Sequence, residues 1–285
     1  MAKYVFGHSD AEHRRLEFQA QLVAPITRKL LVDAGIQEGM HVLDIGTGRG
    51  DVALIAADIV GDTGSVVGID SAPTAITVAR ERGAASSHRN VWFEEGDPAT
   101  FEPVSPLDAV IGRYVLQFLA DSASVLRRLS RLLRPGGALA FHEIDWTWHR
   151  SHPPVPIWDR CCTLVTEMLA FGDADIASGS RIPLIFAEAG LPAPSIAMTT
   201  IVGGGANSHD VVERMANLVL SLLPKMQDRG LVAPDEFDPE TLVQQIADEV
   251  TASASFVAAG SEVTAYTRLP DHAAETSWSS ATAER

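Results

Sequence analysis

A stretch of alternating glycines, Asp44-Ile-Gly-Thr-Gly-Arg-Gly50, follows a short apolar run and precedes a helical pattern that begins at Asp51. This order predicts a strand, a tight loop and a helix. Glycine permits unusual backbone dihedral angles and lets a ligand lie directly against the chain, and a helix N-terminus offers unpaired N–H groups. The dinucleotide fingerprint G-x-G-x-x-G requires glycine where Asp51 stands. Because a carboxylate there would repel a pyrophosphate, the loop favours a cationic ligand without phosphate; a tight turn in an unrelated α/β protein is the alternative.

Composition limits the partners of this 285-residue chain, whose formal net charge is −15. Because phosphate binding needs clustered Lys and Arg, nucleic acid is not expected as the main partner. The only cysteines, Cys161 and Cys162, are adjacent, a spacing that rarely forms a structural disulfide, so we expect a reduced, cytoplasmic protein. The sequence shows neither a basic-then-apolar signal nor an uncharged apolar run of about 18 residues, so no membrane partner is expected.

From residue 41 onward, short apolar runs alternate with helical patterns, which predicts a parallel, doubly wound α/β sheet. We predict strands at 41–45, 66–70, 91–94, 109–111 and 138–144, and later strands at 196–202 and 263–269. Ligands of such sheets bind beyond the carboxyl ends of the strands. The residues that follow the strands should therefore meet at one site.

Polar and glycine residues follow these strand ends. Asp70 and Ser71 close the second strand, Gly96-Asp97-Pro98 follows the third, and Arg113 follows the fourth. An isolated Asp at such a position is more commonly a turn or capping residue. Together with the glycine loop, however, four such pieces at four successive strand ends favour a ligand site.

As a set, these segments closely resemble the successive motifs of class I S-adenosylmethionine (SAM) methyltransferases of the small-molecule type. The matching segments lie within residues 40–145 and are Asp44-x-Gly46-x-Gly48-x-Gly50, Asp70, Gly96-Asp97, Leu107-Asp108-Ala-Val and Leu133-Arg134-Pro135-Gly136-Gly137. The resemblance implies a Rossmann-like, doubly wound sheet of seven strands, mostly parallel with the last strand antiparallel. It also implies SAM as the cofactor.

The resemblance further implies roles for individual residues. Asp70 would hold the ribose and Asp97 the adenine, while the glycine loop and the region of Arg113 would hold the methionyl part. The predicted cofactor-binding residues are Asp44, Gly46, Thr47, Gly48, Asp70, Ser71, Gly96, Asp97, Pro98 and Arg113.

Segments outside the alternating core predict a layer that covers the site. We predict an N-terminal lid of two helices over residues 1–35, the second helix at 26–34, and a SAM-binding core over 36–150. A helical cap with strands six and seven should span 151–270, with helices at 156–170, 181–189, 209–223 and 240–254, before a flexible tail over 271–285. Simple packing is the alternative role for the N-terminal segment, and a homodimer interface is the alternative for the cap helices.

The segment after the fifth strand carries groups that could act on a substrate. Its spacing fits no metal motif such as H-E-x-x-H, and strand alternation sends His142 and Glu143 to opposite faces, so no metal site is expected. We predict His142 or Glu143 as a general base, and a solvated strand end is the alternative. The residues predicted to contact the substrate are Tyr4, Tyr114, Asp145, Trp146, His149 and Trp158.

The predicted function is transfer of the SAM methyl group to a small, apolar molecule, through an oxygen, nitrogen or carbon acceptor. An oxygen acceptor of high pKa needs a base, whereas an electron-rich carbon needs stabilisation of a cation, which tryptophan can supply. Two alternatives remain open. One is a SAM-binding enzyme of this fold that catalyses cyclisation or elimination, and the other is a non-catalytic SAM-sensing module.

Overall fold

The computed structural model describes residues 10–271, with side chains described from Arg15 onward, and centres on a seven-stranded sheet. The strand order is β3-β2-β1-β4-β5-β10-β7. The strands β1 to β5 are mutually parallel, and β10 is antiparallel to both of its neighbours, β5 and β7. The bounds are β1 His41–Ile45, β2 Ser65–Asp70, β3 Val91–Glu95, β4 Leu107–Arg113, β5 Leu133–Asp145, β7 Ser195–Thr199 and β10 Ser261–Arg268. The predicted fold class, with its antiparallel last strand, is confirmed.

Helices cover both faces of this sheet. One face packs against α1 (Asp10–Asp33), α2 (Asp51–Val60) and α3 (Pro73–Ala85), and the other packs against α4 (Ser122–Ser130) and α6 (Ser178–Glu188). Because strands of this kind are buried on both faces, their sequences are continuous apolar runs such as that of β1. Local hydrophobicity therefore predicts their positions well.

Two helices continue through prolines at which the predicted helices stop or start. The predicted break near Pro25 is wrong, since α1 is one continuous helix with Pro25 inside it. Proline in a helix interior removes a hydrogen bond and costs about 3 kcal/mol. Burial of Val23, Thr27 and Leu31 along the inner face of α1 offsets that cost. Likewise, α7 (His209–Asp228) passes through Pro224 and extends beyond the predicted end at residue 223.

The cap is a separate apolar cluster built mainly from α5 (Pro156–Phe171), α7 and α8 (Leu242–Ala252). A small antiparallel sheet of order β6-β9-β8 accompanies it, with β6 Arg150–His152, β8 Val202–Gly204 and β9 Phe256–Ala258. The sequence does not predict this sheet, because strands of three residues are too short to show alternation. The predicted strand at 196–202 is in fact two strands, β7 and the start of β8.

The longest described helices are α1, with 24 residues, and α7, with 20 residues. Within residues 10–271, no helix is both long enough and apolar enough to cross a membrane. Instead, α1 packs against α7 and against the strands β5 and β10. This contact brings the N-terminal segment and the cap together above the carboxyl ends of the strands.

Candidate active site

A cavity of about 530 Å³ lies at the carboxyl ends of the strands. Its volume is in the range of small-molecule sites, roughly 300–1,000 Å³. The residues after β1, β2, β3 and β4 form one part of its wall, and we call this part the donor half. Residues of α1, α5 and α7, together with Tyr114 and the end of β5, form the rest, which we call the acceptor half.

The glycine loop after β1 forms the floor of the donor half. Gly46 has φ 61° and Gly48 has φ 54°, in the left-handed region that favours glycine. A Cβ atom on Gly46 would lie 2.6 Å from Cγ2 of Val115, so no larger residue fits there without movement. A Cβ atom on Gly48 would have no atom within 4 Å, because this residue faces the cavity. The loop backbone is therefore open to direct contact with a ligand.

Asp70 closes β2 and ties the glycine loop to the neighbouring strand. Its Oδ2 accepts a hydrogen bond from the Gly48 N–H at 2.9 Å, and its Oδ1 accepts one from the Ala72 N–H at 2.9 Å. Asp70 and Ser71 both line the cavity. Since each carboxylate oxygen has two lone pairs, Asp70 can still accept hydroxyl groups from a ligand.

Asp44 lies behind the loop and not in the cavity wall. It is fully buried, and the Thr47 hydroxyl donates to its Oδ2 at 2.7 Å. Its Oδ1 has no hydrogen-bond partner among the described residues. Burial raises the pKa of Asp44 to about 7, although the Thr47 hydrogen bond opposes this shift. A cationic group bound at the loop would stabilise the ionised form.

The loop after β3 contributes backbone more than charge. Gly96 and Pro98 line the cavity, whereas the Asp97 side chain is exposed. Asp97 accepts a hydrogen bond from the Ala99 N–H at 2.8 Å and lies in an adjoining depression that shares Leu119 with the cavity. Its role toward an adenine stays a prediction.

Arg113 ends β4 and Tyr114 follows it, and both lie where the two halves of the cavity meet. The Arg113 guanidinium donates to the Thr27 hydroxyl at 3.2 Å, and its Nη2 lies 4.0 Å from Oδ2 of Asp51. Tyr114 has φ 55°, which is uncommon for a residue other than glycine. Backbone strain of this kind is concentrated at functional sites.

Behind Tyr114, a buried polar network converges on Glu262 of β10. Oε2 of Glu262 accepts from the Tyr114 hydroxyl at 2.7 Å and from Nε2 of His142 at 3.0 Å. Oε1 accepts from Nη2 of Arg214, in α7, at 2.7 Å. Because the ionised Glu262 carboxylate can only accept, Nε2 of His142 is assigned the proton, and Nδ1 lies 2.9 Å from the Thr27 hydroxyl.

The charges in this network follow from its burial. Burial by itself would raise the pKa of Glu262, but the charge of Arg214 and the hydrogen bond from His142 outweigh it and lower the pKa to about 2. Burial lowers the pKa of His142, despite the hydrogen bond to Glu262. At neutral pH the network therefore holds an ionised Glu262, a cationic Arg214 and a neutral His142.

Neither predicted catalytic residue lies in the cavity wall. His142 is fully buried within the network described above. Glu143 is also fully buried, and its Oε1 accepts from the N–H groups of Val115 and Leu116, both at 2.9 Å. Burial raises the pKa of Glu143 to about 7, although these backbone hydrogen bonds oppose the shift. Both residues support neighbours that line the cavity, and a role as general base stays a prediction for each.

The predicted substrate residues divide into two groups. Tyr114 and Trp146 line the cavity. Asp145 instead accepts from the Ser180 N–H at 2.8 Å, His149 contacts the Trp146 carbonyl at 2.9 Å, and Trp158 is fully buried in the cap core. Tyr4 lies outside the described residues.

Sequence reasoning missed most of the acceptor half. Its wall includes Arg15, Leu16 and Gln19 of α1, Leu169 of α5, and Arg214 and Leu218 of α7. The sequence does contain an indication of Arg214, because this arginine interrupts the row of apolar residues on the buried face of α7. A cation on such a stripe needs a buried partner or a ligand.

The fold and this site define the class. This chain has a seven-stranded sheet with an antiparallel last strand, a glycine loop after the first strand and an acid at the end of the second. These features are characteristic of the class I SAM-dependent methyltransferases. The family model described as "Methyltransferase domain" matches residues 36–187, just over half of the chain. The chain therefore belongs to this methyltransferase family.

Individual relatives agree with this family. Aklanonic acid methyltransferase DauC of Streptomyces sp. strain C5 is 36% identical over 137 residues, which are 48% of this chain and 61% of the relative. Demethylmenaquinone methyltransferase of Staphylococcus aureus is 31% identical over 139 residues, 48% of this chain and 54% of the relative. The chain spans about half the length of the curated relatives it matches. A candidate methyltransferase from Bacillus halodurans shares the fold, with a TM-score of 0.58, 19% identity, and coverage of 86% of this chain and 98% of that one.

Proposed function

We propose that this protein transfers the methyl group of SAM to a small, apolar acceptor molecule. The observation that carries the proposal is a single cavity with two unlike halves. The donor half is built from backbone and carboxylate groups, and the acceptor half is built mainly from apolar side chains of α1, α5 and α7. SAM, when bound, supplies an activated methyl group.

The donor half fits SAM on features of this chain. Gly48 opens the loop backbone to the cavity, so a ligand can lie against it. Asp70 can accept ribose hydroxyls beside the loop, and Arg113 can pair with a carboxylate. Asp44 has an unpartnered oxygen behind the loop, and a cationic group bound there would stabilise its ionised form.

The acceptor half supports positioning as the main contribution of the protein. Helices α1 and α7 pack against each other, and both contribute residues to the cavity wall. Holding two reactants in line can supply roughly 7–11 kcal/mol of the barrier. We therefore assign α1 and the cap the role of a lid over the reacting groups.

The named relatives support a small molecule as the acceptor. Aklanonic acid and demethylmenaquinone, the molecules named in two of them, are both small organic compounds. The net charge of −15 argues against nucleic acid as the acceptor. A cytoplasmic location stays a prediction based on its cysteines.

Calorimetric titration with S-adenosylhomocysteine (SAH), the demethylated product, tests the donor half. Asp70→Ala removes charge-assisted hydrogen bonds, each worth about 1.5–3 kcal/mol, so we expect the affinity to fall at least tenfold. Asp62→Ala, which removes an exposed acid from a loop outside the cavity, should leave the affinity unchanged. Equal SAH affinity of the Asp70 variant and the wild type would refute the ribose assignment.

Incubation with methyl-labelled SAM and a panel of small lipophilic acceptors tests the reaction. We expect label in the acceptor and stoichiometric release of SAH. Conversion of an acceptor without label would instead identify a cyclase or an eliminating enzyme. Tight SAH binding without conversion of any acceptor would favour the sensing module.

A further inference from the structure

Arg214 is a buried cation with hydrogen-bonding capacity left over. It is 6% exposed, and its side chain lines the acceptor half of the cavity. Nη2 donates to Glu262 at 2.7 Å and lies 3.5 Å from the Tyr114 hydroxyl. Among residues 15–271, no side chain or backbone group accepts a hydrogen bond from its Nε or Nη1. Since a guanidinium has five N–H donors, several remain available to a ligand.

Among the described residues, the charged side chains that line the acceptor half are all arginines. Its described wall contains the guanidinium groups of Arg15 and Arg214, and Arg113 lies at its boundary with the donor half. No Asp or Glu side chain among the described residues lines this half, since the lining acids Asp51 and Asp70 lie on the donor side. This positive wall occurs in a chain with a net charge of −15, so it is not a consequence of overall composition.

Glu262 balances the charge of Arg214 from behind the cavity wall but does not use all of that arginine's N–H donors. It is 1% exposed and does not line the cavity. Its two oxygens already accept from Arg214, Tyr114 and His142. Glu262 therefore acts as a buried support that orients Arg214 and Tyr114 and leaves Nε and Nη1 of Arg214 for a ligand.

We propose that the methyl acceptor is an apolar molecule that carries a carboxylate, and that Arg214 binds this carboxylate. The inference rests on the proposed function and adds to it the chemical class of the acceptor. A carboxylate suits the remaining N–H donors of a guanidinium, because charge-assisted hydrogen bonds of this kind are about twice as strong as neutral ones. The apolar side chains of Leu16, Ile144, Leu169 and Leu218 would surround the rest of the molecule.

The test compares matched acids and amides in protein saturated with SAH. The probes are benzoate, 2-naphthoate and octanoate, each paired with its primary amide, and binding is measured by calorimetry. We expect at least one acid to bind the wild type about tenfold or more tightly than its amide. If no acid binds better than its amide, the proposal is overturned.

The double variant Arg214→Met/Glu262→Gln removes both charges together, so no buried charge is left without its partner. We expect its preference for the acid to fall below about threefold while its affinity for SAH stays within about threefold of the wild type. Arg160→Met, which removes a partly exposed arginine of α5 outside the cavity, is the control and should keep the full preference. A preference that survives in the double variant overturns the proposal.

Two further measurements separate this inference from its alternatives. Arg214→Lys keeps a charge with fewer donors and should retain a preference for the acid that is weaker than in the wild type. If SAH affinity falls tenfold in both Arg214 variants, Arg214 holds the carboxylate of SAM and the inference is overturned. If SAH does not bind the wild type at all, the proposed methyl transfer is contradicted. The comparison of acids with amides is then made without SAH, and it still shows whether the cavity selects anions.

Discussion

Replacing Glu262 with glutamine tests the buried network beneath the cavity, because the change removes a charge but almost no volume. The carboxylate is 1% exposed and accepts from Arg214 at one oxygen and from Tyr114 and His142 at the other. The amide nitrogen of the introduced glutamine would have to face one of these donor groups. In either orientation, Arg214 loses its counter-ion and becomes a buried, uncompensated charge.

The magnitude follows from that loss. Removing one partner of a buried ion pair typically costs about 3–5 kcal/mol in the free energy of unfolding. We expect this cost for Glu262→Gln and a similar one for Arg214→Met. The double variant should cost less than the sum of the two by about 2–3 kcal/mol, because it leaves neither charge alone. This difference is the coupling energy of the pair.

Urea unfolding of the four proteins at pH 7 measures the coupling energy. The exposed pair Arg160–Glu236 provides a matched cycle, with a 2.9 Å contact and side chains that are 40% and 29% exposed. Exposed pairs contribute about 0–1 kcal/mol, so the Arg160→Met/Glu236→Gln cycle should show a small coupling. If the buried cycle couples no more strongly than the exposed one, our account of the network is wrong.

The same pair predicts a pH dependence. The pKa of Glu262 is about 2 in the folded state and 4.5 ordinarily, so the folded state binds its proton less readily than the unfolded chain. Its contribution is therefore fully present above about pH 4.5 and is lost as the pH falls toward 2. The shift corresponds to about 3 kcal/mol. The stability difference between wild type and Glu262→Gln should shrink as the pH falls from 4.5 to 3, and a constant difference would contradict the assignment.

Two further substitutions test the supports of the cavity wall. Glu143→Gln keeps an oxygen for the two N–H groups that Glu143 holds, so we expect methyl transfer to change less than threefold, whereas loss of a base would cost about 10²–10⁴ in rate. Burial raises the pKa of Glu143 in the folded state to about 7, so the folded protein takes up a proton as the pH falls from 7 toward 4.5. This uptake makes the wild type more stable at the lower pH, and the Glu143→Gln variant should lack that contribution to the free energy of unfolding. Gly46→Ala should destabilise more than Gly230→Ala by about 1–3 kcal/mol in urea unfolding. Both glycines have positive φ, 61° and 70°, but the new Cβ would lie 2.6 Å from Val115 at Gly46 and would have no atom within 4 Å at Gly230. Equal losses in the two glycine variants would show that backbone strain alone acts at Gly46.

The sheet and the donor half were predictable because their signals are local. The central strands contain short apolar runs, and the donor-half residues lie at or just after strand ends in the sequence. Gly46, Gly48, Asp70, Pro98 and Arg113 line the cavity, as expected for ligands at the carboxyl ends of parallel strands.

The acceptor half was not predictable in this way, because it depends on contacts between distant segments. Thr27 contacts His142 across 115 positions, and Glu262 contacts it across 120 positions. Strand alternation correctly separates His142 from Glu143. It does not show that α1 and β10 cover the face of His142, nor that the backbone after β4 covers Glu143. Hydrophobic periodicity also does not reveal the partner that a buried cation such as Arg214 has found.

The positions of His142 and Glu143 change the chemical question that the cavity poses. The two titratable side chains at the end of β5 led us to predict a base. In the structure, His142 contacts the Tyr114 ring, and Glu143 accepts hydrogen bonds from the N–H groups of Val115 and Leu116. The described acceptor-half wall then offers cationic and hydroxyl groups but neither a carboxylate nor an imidazole to take a proton. An acceptor with a neutral hydroxyl of high pKa would find no base there. A carboxylate oxygen that itself accepts the methyl group is already ionised and needs no base, so the wall fits the acidic acceptor proposed above on grounds of reactivity as well as charge.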